Sequence, residues 1–264
     1  MNRNTLDILC CPKCKNDLIF QGQDTHDKIT EGELVCESCR KSYTIEDGIV
    51  HFLQEGEVFR FSKRAEFFRS IYACLYTPAT NFMFIPCGGA KKARREVLDR
   101  LEIPSGAKIL ETGIGAGDNL PFLVKHSDHI SFFGIDNQQR MLRSCKRNIK
   151  KRNLQADLFW ANAEKLPFKN HSFDVVFHLG SINLFSNKKQ AIDEMIRVAR
   201  PGTKIIIADE TQKASKYFNL FMGKQEKIVP PVDLIPDTMQ DIRLDIIWRG
   251  FGYLIEFRVP GKEK

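Results

Sequence analysis

The start of the chain lacks the marks of an export signal. Residues 1–14 carry no basic flank, no apolar run and no small-residue cleavage site, so the expected location is the cytoplasm. Long hydrophobic runs are scarce too. The one long uncharged stretch, Ile71–Ala90, is broken by Pro78, Pro86 and Gly88-Gly89 and carries Asn81, which argues against an isolated transmembrane helix. Basic side chains are few at the front: residues 1–56 hold 6 Lys and Arg against 10 Asp and Glu, whereas the remainder holds 34 against 23. An acidic front on a basic body implies two modules, the second tolerant of anionic partners or surfaces. The whole, 264 residues with 42% hydrophobic and 28% charged, is ordinary globular composition and excludes wholesale disorder.

Cysteine is not scarce. Four of the eight cysteines form two pairs, Cys11-Pro12-Lys13-Cys14 and Cys36-Glu37-Ser38-Cys39. Without an export signal, such pairs point to bound metal in a reducing compartment rather than to disulfides. A two-residue gap lets both thiolates of a pair reach one ion, and four thiolates make the closed shell of a structural zinc site with no position open for catalysis. Cys10 is a spare neighbour that would leave a less usual gap, and the spacing of His26 and His51 does not recommend them. A module of this size buries a small core, so the metal supplies folding energy. Short strands are expected at 17–21, 32–35 and 42–45, which makes the front a zinc ribbon.

From Lys108 onward, short β runs alternate with helical stretches: strands at 108–112, 131–135, 157–161, 173–179 and 204–209, helices at 138–153 and 188–198. Alternation at this pitch predicts an α/β fold, a Rossmann-like, doubly wound and mostly parallel sheet covered on both faces. The end differs. Residues 242–248 and 253–259 flank Arg249-Gly250-Phe251-Gly252 and read as a closing antiparallel hairpin. The expected division is therefore a zinc ribbon over 1–56, a helical, aromatic-rich lid or linker over 57–103, and a cofactor domain over 104–264.

The chemistry sits at the first strand end, Glu111-Thr112-Gly113-Ile114-Gly115-Ala116-Gly117. Glycine here lets the backbone turn tightly and approach a ligand. A dinucleotide site would want glycine at 118, where the chain has Asp118. An acid ahead of Gly113, Gly115 and Gly117 suits a methionine ammonium better than a pyrophosphate, which favours S-adenosylmethionine over NAD. Asp136, at the tip of the second strand, is placed to accept the ribose hydroxyls. After the third strand, Asn162 offers an acceptor for the adenine amino group and Ala163 its backbone amide.

Both parts resemble known families. Residues 5–53, through Cys11–Cys14, Cys36–Cys39 and Tyr43-Thr44-Ile45-Glu46-Asp47-Gly48-Ile49, resemble the small zinc-binding activator of RNA and protein methyltransferases, which implies a scaffold fused in cis. Residues 104–210 resemble the class I S-adenosylmethionine-dependent methyltransferases, especially the ubiquinone and menaquinone biosynthesis branch. That resemblance rests on the glycine loop, Gly134-Ile135-Asp136, Ala163-Glu164-Lys165-Leu166-Pro167-Phe168, Ser172-Phe173-Asp174-Val175-Val176 and Arg197-Val198-Ala199-Arg200-Pro201-Gly202. It departs at Ile114 and Ala116, where the family usually has cysteine and threonine, and at Asn162, where it usually has aspartate.

Methyl transfer needs alignment in a dry pocket more than an obligatory catalytic signature. The acceptor-side candidates are His178 and Ser181, with Asn183, Asp209 and Glu210 nearby. His178 would be the base for a phenol or thiol. No Asn-Pro-Pro-Tyr signature stands at 177–183, which argues against amide or adenine nitrogen acceptors. The aromatic run at 71–90 resembles the lid of related enzymes, so the leading expectation is a small, apolar acceptor (quinone-, phenol-, thiol- or lipid-like). Its basic borders, Arg60, Lys63, Arg64 and Arg69 before and Lys91, Lys92, Arg94 and Arg95 after, would allow transient docking on an anionic membrane. The alternatives are an rRNA or tRNA methyltransferase and a non-catalytic, cofactor-binding partner of another methyltransferase. Seven basic residues over 140–152 favour RNA, but Arg140, Arg143, Arg147 and Lys150 share one helical face and read as solvated surface.

Overall fold

The computed structural model describes residues 1–22, 27–53, 84–124, 129–214 and 227–261. The front supplies β1 (Leu18–Gln21), β2 (Gly32–Cys36), β3 (Ser42–Glu46) and β4 (Ile49–His51). The body supplies β5 (Lys108–Thr112), β6 (Ser131–Asp136), β7 (Asp157–Trp160), β8 (Val175–Leu179) and β9 (Lys204–Glu210), then β10 (Gln240–Ile247) and β11 (Gly252–Arg258). The helices are α1 (Ala90–Leu98), α2 (Leu120–Leu123), α3 (Gln139–Lys151) and α4 (Lys188–Val198).

All the strands join one sheet, in the order β1-β2-β3-β4-β7-β6-β5-β8-β9-β11-β10. From β4 to β9 neighbouring strands run parallel, and β10 and β11 form the expected antiparallel hairpin on the β9 edge. The parallel strands carry almost continuous apolar runs, as burial on both faces demands. One face is covered by α1, α2 and α3, through Ala93, Val97, Leu120, Leu142 and Cys145. The other is covered by α4, through Ala191, Ile192, Met195 and Val198. In α3 the buried positions Met141, Leu142, Cys145 and Ile149 form one stripe, while Arg140, Arg143, Arg147 and Lys150 are exposed on the opposite side.

The front does not stand apart from this sheet. β4 pairs parallel with β7, with Ile49, Val50 and His51 opposite Leu158, Phe159 and Trp160. The knuckle side docks as well: the Cys10 amide donates to Pro167 O at 3.0 Å and the Lys169 amide to Ile8 O at 2.8 Å. Asp157, buried at the start of β7, accepts from the Asn2 amide at 2.9 Å and from the Thr5 hydroxyl. Ring contacts run from Tyr43 to Phe52 at 4.9 Å, Phe52 to Phe159 at 6.3 Å, Phe159 to Phe168 at 5.1 Å and Phe168 to Phe173 at 4.9 Å. The core expected to be small is therefore shared, and Leu34, Tyr43 and Ile45 belong to the same buried cluster as Phe173 and Ile205.

Most of the lid expected over 57–103, residues 57–83, lies outside the described residues, as do residues 54–56 of the front. The described end of the lid packs on the body: Trp248 Nε1 donates to Ala93 O at 3.0 Å, and the Phe84 and Trp248 rings meet edge to face at 5.1 Å. Among the described residues, no helix is long and apolar enough to cross a membrane.

Candidate cofactor site and metal centre

Sheet order reverses at β5, which lies between β6 and β8. In an open α/β sheet the crevice for a ligand opens beyond the carboxyl ends of the strands at such a reversal. The glycine loop leaves β5 at this point. The Gly113 and Ile114 amides both donate to Ile135 O, at 2.8 and 2.9 Å. Gly113 and Gly117 have φ of 73° and 74°. A Cβ on Gly117 would stand 2.7 Å from Cys145 Sγ, and one on Gly113 would stand 3.1 Å from His178 Cε1 and 3.3 Å from Ser181 Oγ. The loop therefore needs glycine for its turns and for its close packing on α3 and β8.

Asp136 ends β6 beneath this loop. Its Oδ2 accepts from the Gly115 amide at 2.9 Å and its Oδ1 from the Gln138 amide at 2.8 Å. It therefore fixes the loop from the tip of β6, where the sequence places the ribose-binding acid. Asn162 Oδ1 caps the turn at 163–165 by accepting from the Glu164 amide at 2.9 Å, so the acceptor expected for adenine is already half used. Ala163 follows it, buried.

Glu111 is 3% exposed. Its Oε1 accepts from Asn119 Nδ2 at 2.5 Å, and its buried Oε2 has no hydrogen-bond partner. Burial pushes this carboxyl up to about 8, with the Asn119 hydrogen bond and the Arg94 charge opposing. A bare, desolvated carboxylate oxygen is a site that an incoming cation completes. The sulfonium cofactor's methionine ammonium is such a cation, so the residues present fit the group. Arg94, from α1, donates to Asn119 Oδ1 and lies 3.7 Å from Asp118 Oδ2. The basic border expected to face a membrane thus turns one of its arginines into the core, where Arg94 is 6% exposed. Arg94 and Asn119 were not among the expected site residues. The signal was that Arg94 falls on the apolar stripe Ala90, Ala93, Val97 of α1, a position a surface arginine would avoid.

Of the residues expected on the acceptor side, His178 is fully buried. Its Nδ1 donates to Thr112 O at 2.6 Å, which leaves the lone pair on Nε2, a buried atom without a hydrogen-bond partner. Burial lowers its pKa to about 4. Ser181 sits at the β8 tip with φ 99°, a costly backbone for a non-glycine residue. Asp209 accepts from the Asn183 and Glu210 amides, each at 2.8 Å, and Glu210 beside it is pushed up to about 7 by burial and by the Asp209 charge.

The sulfurs of Cys11, Cys14, Cys36 and Cys39 all lie within 4.8 Å of one another. Contacts of 3.4 Å between Cys14 and Cys36 and 3.7 Å between Cys11 and Cys39 suit thiolates arranged tetrahedrally about 2.3 Å from one zinc. The Tyr43 hydroxyl donates to Cys11 Sγ at 3.1 Å, a contact that orients a ligand. Cys10 points away into the core, its thiol pushed up to about 11 by burial. His51 packs edge-on to Trp160 at 5.3 Å, and His26 lies outside the described residues.

Residues 109–202 match the methyltransferase-domain family, and residues 2–48 match the Trm112p-like family. The chain is a Trm112p-like module fused to a class I methyltransferase domain. That domain is 30% identical over 120 residues to an O-methyltransferase of Aspergillus nomiae, covering 45% of this chain and 53% of the relative. It is 29% identical over 167 residues to the ubiquinone/menaquinone biosynthesis C-methyltransferase of Blochmanniella floridana, covering 61% of each. Less than two thirds of either relative is spanned. A chain from the complex that contains the Haloferax volcanii Trm112 methyltransferase activator shares the fold with a TM-score of 0.56 at 16% identity, covering 77% of this chain and 100% of that one. The Haemonchus contortus phosphoethanolamine N-methyltransferase 2, solved with S-adenosyl-L-methionine, does so with 0.53 at 14% identity, covering 66% and 53%.

Proposed function

We propose that the protein is an S-adenosylmethionine-dependent methyltransferase acting on a small, apolar acceptor, with the Trm112p-like module as its built-in scaffold. The observation that carries this reading is the bare Oε2 of Glu111 behind the glycine loop. When bound, the cofactor supplies a sulfonium methyl group for in-line displacement by the acceptor. Glu111 receives the ammonium, Asp136 the ribose and the 162–163 segment the adenine edge. His178, neutral and weakly basic, offers Nε2 as a hydrogen-bond acceptor and positions rather than deprotonates. The proton of a phenol or thiol acceptor passes instead to Glu210, whose raised pKa brings its titration close to neutrality. Support for the acceptor class comes from the aromatic run at 71–90 and from the relatives' names, an O-methyltransferase and a ubiquinone/menaquinone biosynthesis C-methyltransferase.

RNA is the second reading, favoured by the exposed basic face of α3. Incubating the protein with methyl-labelled cofactor and fractionated extract separates the two. Label in the lipid or small-molecule fraction supports the first, and label in RNA the second. Calorimetry with Asp136→Ala tests the cofactor site itself: unchanged affinity for S-adenosylmethionine would overturn the assignment.

A further inference from the structure

Among the described residues, the far edge of the sheet is open. β10 is the last strand beside β11, and among its residues Ile242, Leu244 and Ile246 are 37%, 41% and 63% exposed. Leu244 and Ile246 lie opposite Ile255 and Tyr253 of β11, both fully buried. Directly opposed residues share a face, so this apolar row continues a core face of the sheet past its covered part. Arg243 and Asp245 project on the other face. The regular stretch is Arg243–Ile247, bounded by a bulge between Gln240 and Arg243 that leaves Ile242 at its margin and by left-handed backbone at Asp241, φ 53°, and Trp248, φ 52°. An unpaired edge of this kind is a template for a further strand.

We propose that the occupant is the β10 of a second copy, paired antiparallel about a two-fold axis through Leu244. The strand's own pattern selects this register. Centred on Leu244, the pairing sets Leu244 against Leu244, Ile242 against Ile246 twice, and Arg243 against Asp245 twice. A shift of one residue puts Leu244 opposite Asp245. A shift of two puts Arg243 opposite Arg243 or Asp245 opposite Asp245. Of these registers only the first keeps apolar with apolar and cation with anion, and it is self-complementary, as an isologous contact requires. Asp245 already pairs with Arg100 of its own subunit, and a carboxylate accepts from two cations. The sheets of the two subunits become continuous, with both catalytic crevices clear of the junction because they open at β5 and β8.

The test is sedimentation equilibrium on the full chain. The wild type is expected at twice the 30.4 kDa chain mass, while Arg243→Asp and Asp245→Arg each weaken dimerisation by about tenfold or more. Mixing the two variants restores a dimer, since one then presents two acids to the other's two arginines, and the double variant R243D/D245R also dimerises. A misfolded variant would not recover on mixing. If either single variant misfolds, Leu244→Lys sets like charges opposite each other at the axis and serves in its place. A wild type that stays monomeric at about 100 μM, or a dimer indifferent to these changes, would overturn the proposal.

Discussion

Asn119 holds Glu111 by a single hydrogen bond, Nδ2 to Oε1 at 2.5 Å, and leaves Oε2 bare. Arg94 fixes the amide's orientation by donating to Asn119 Oδ1, so a helix ahead of the glycine loop sets the charge behind it. Asn119→Ala removes the only donor to the Glu111 carboxyl among the described residues. The expected outcome is a loss of about 1–3 kcal/mol in urea denaturation together with weaker cofactor binding by calorimetry. Arg94→Met is expected to weaken binding through the same chain without touching the ligand.

Proton release should accompany cofactor binding. Glu111 has its folded pKa raised from 4.5 to about 8, so it favours stability fully below 4.5, and that contribution is lost as pH rises through about 8. An ammonium beside it favours the charged form. Between those limits binding expels a proton, and affinity rises with pH towards 8. Calorimetry in buffers of different ionisation enthalpy reads this directly, and Glu111→Gln should abolish the buffer dependence.

Metal removal should be felt across the whole chain. Because Cys11 and Cys36 belong to the same buried cluster as Phe168 and Ile205, chelation is expected to lower a single cooperative melting transition rather than to release an independent front. Differential scanning calorimetry with and without chelator checks this. Two separated transitions in the untreated protein would contradict it.

Ser181 stores strain at the β8 tip, with φ 99°. Ser181→Gly relieves it and should raise stability by about 1 kcal/mol. Turnover should fall if Oγ faces the acceptor. A variant both more stable and fully active would remove Ser181 from the acceptor side.

The pH profile should report Glu210. As a base it must be ionised, so the wild-type rate is expected to fall as pH drops below about 7. Glu210→Gln should lower kcat roughly 10²-fold and flatten that limb, with KM for the cofactor unchanged.

Much of this was legible from residue order. The two cysteine pairs, the glycine loop and the hairpin around Arg249-Gly250 each depend on local spacing, and all are present. β4 escaped notice because three residues, Ile49-Val50-His51, are too short for a periodic signal. Their partner β7 is more than a hundred residues away, and only tertiary contact tells such a strand from a loop. Asp118 read as a missing glycine, yet it is a buried anion with Arg94 and Arg152 each 3.7 Å away. Spacing does not report which charges fold inward.

The parallel seam between β4 and β7 has an architectural corollary. A free-standing activator would hold its enzyme only as tightly as concentration allows, and dilution would separate them. Covalent fusion makes docking an intramolecular event whose effective molarity no longer depends on how much protein the cell makes. The ratio of front module to methyltransferase domain is then always one to one, and no surplus of bare, adhesive strand edge arises when synthesis is unbalanced.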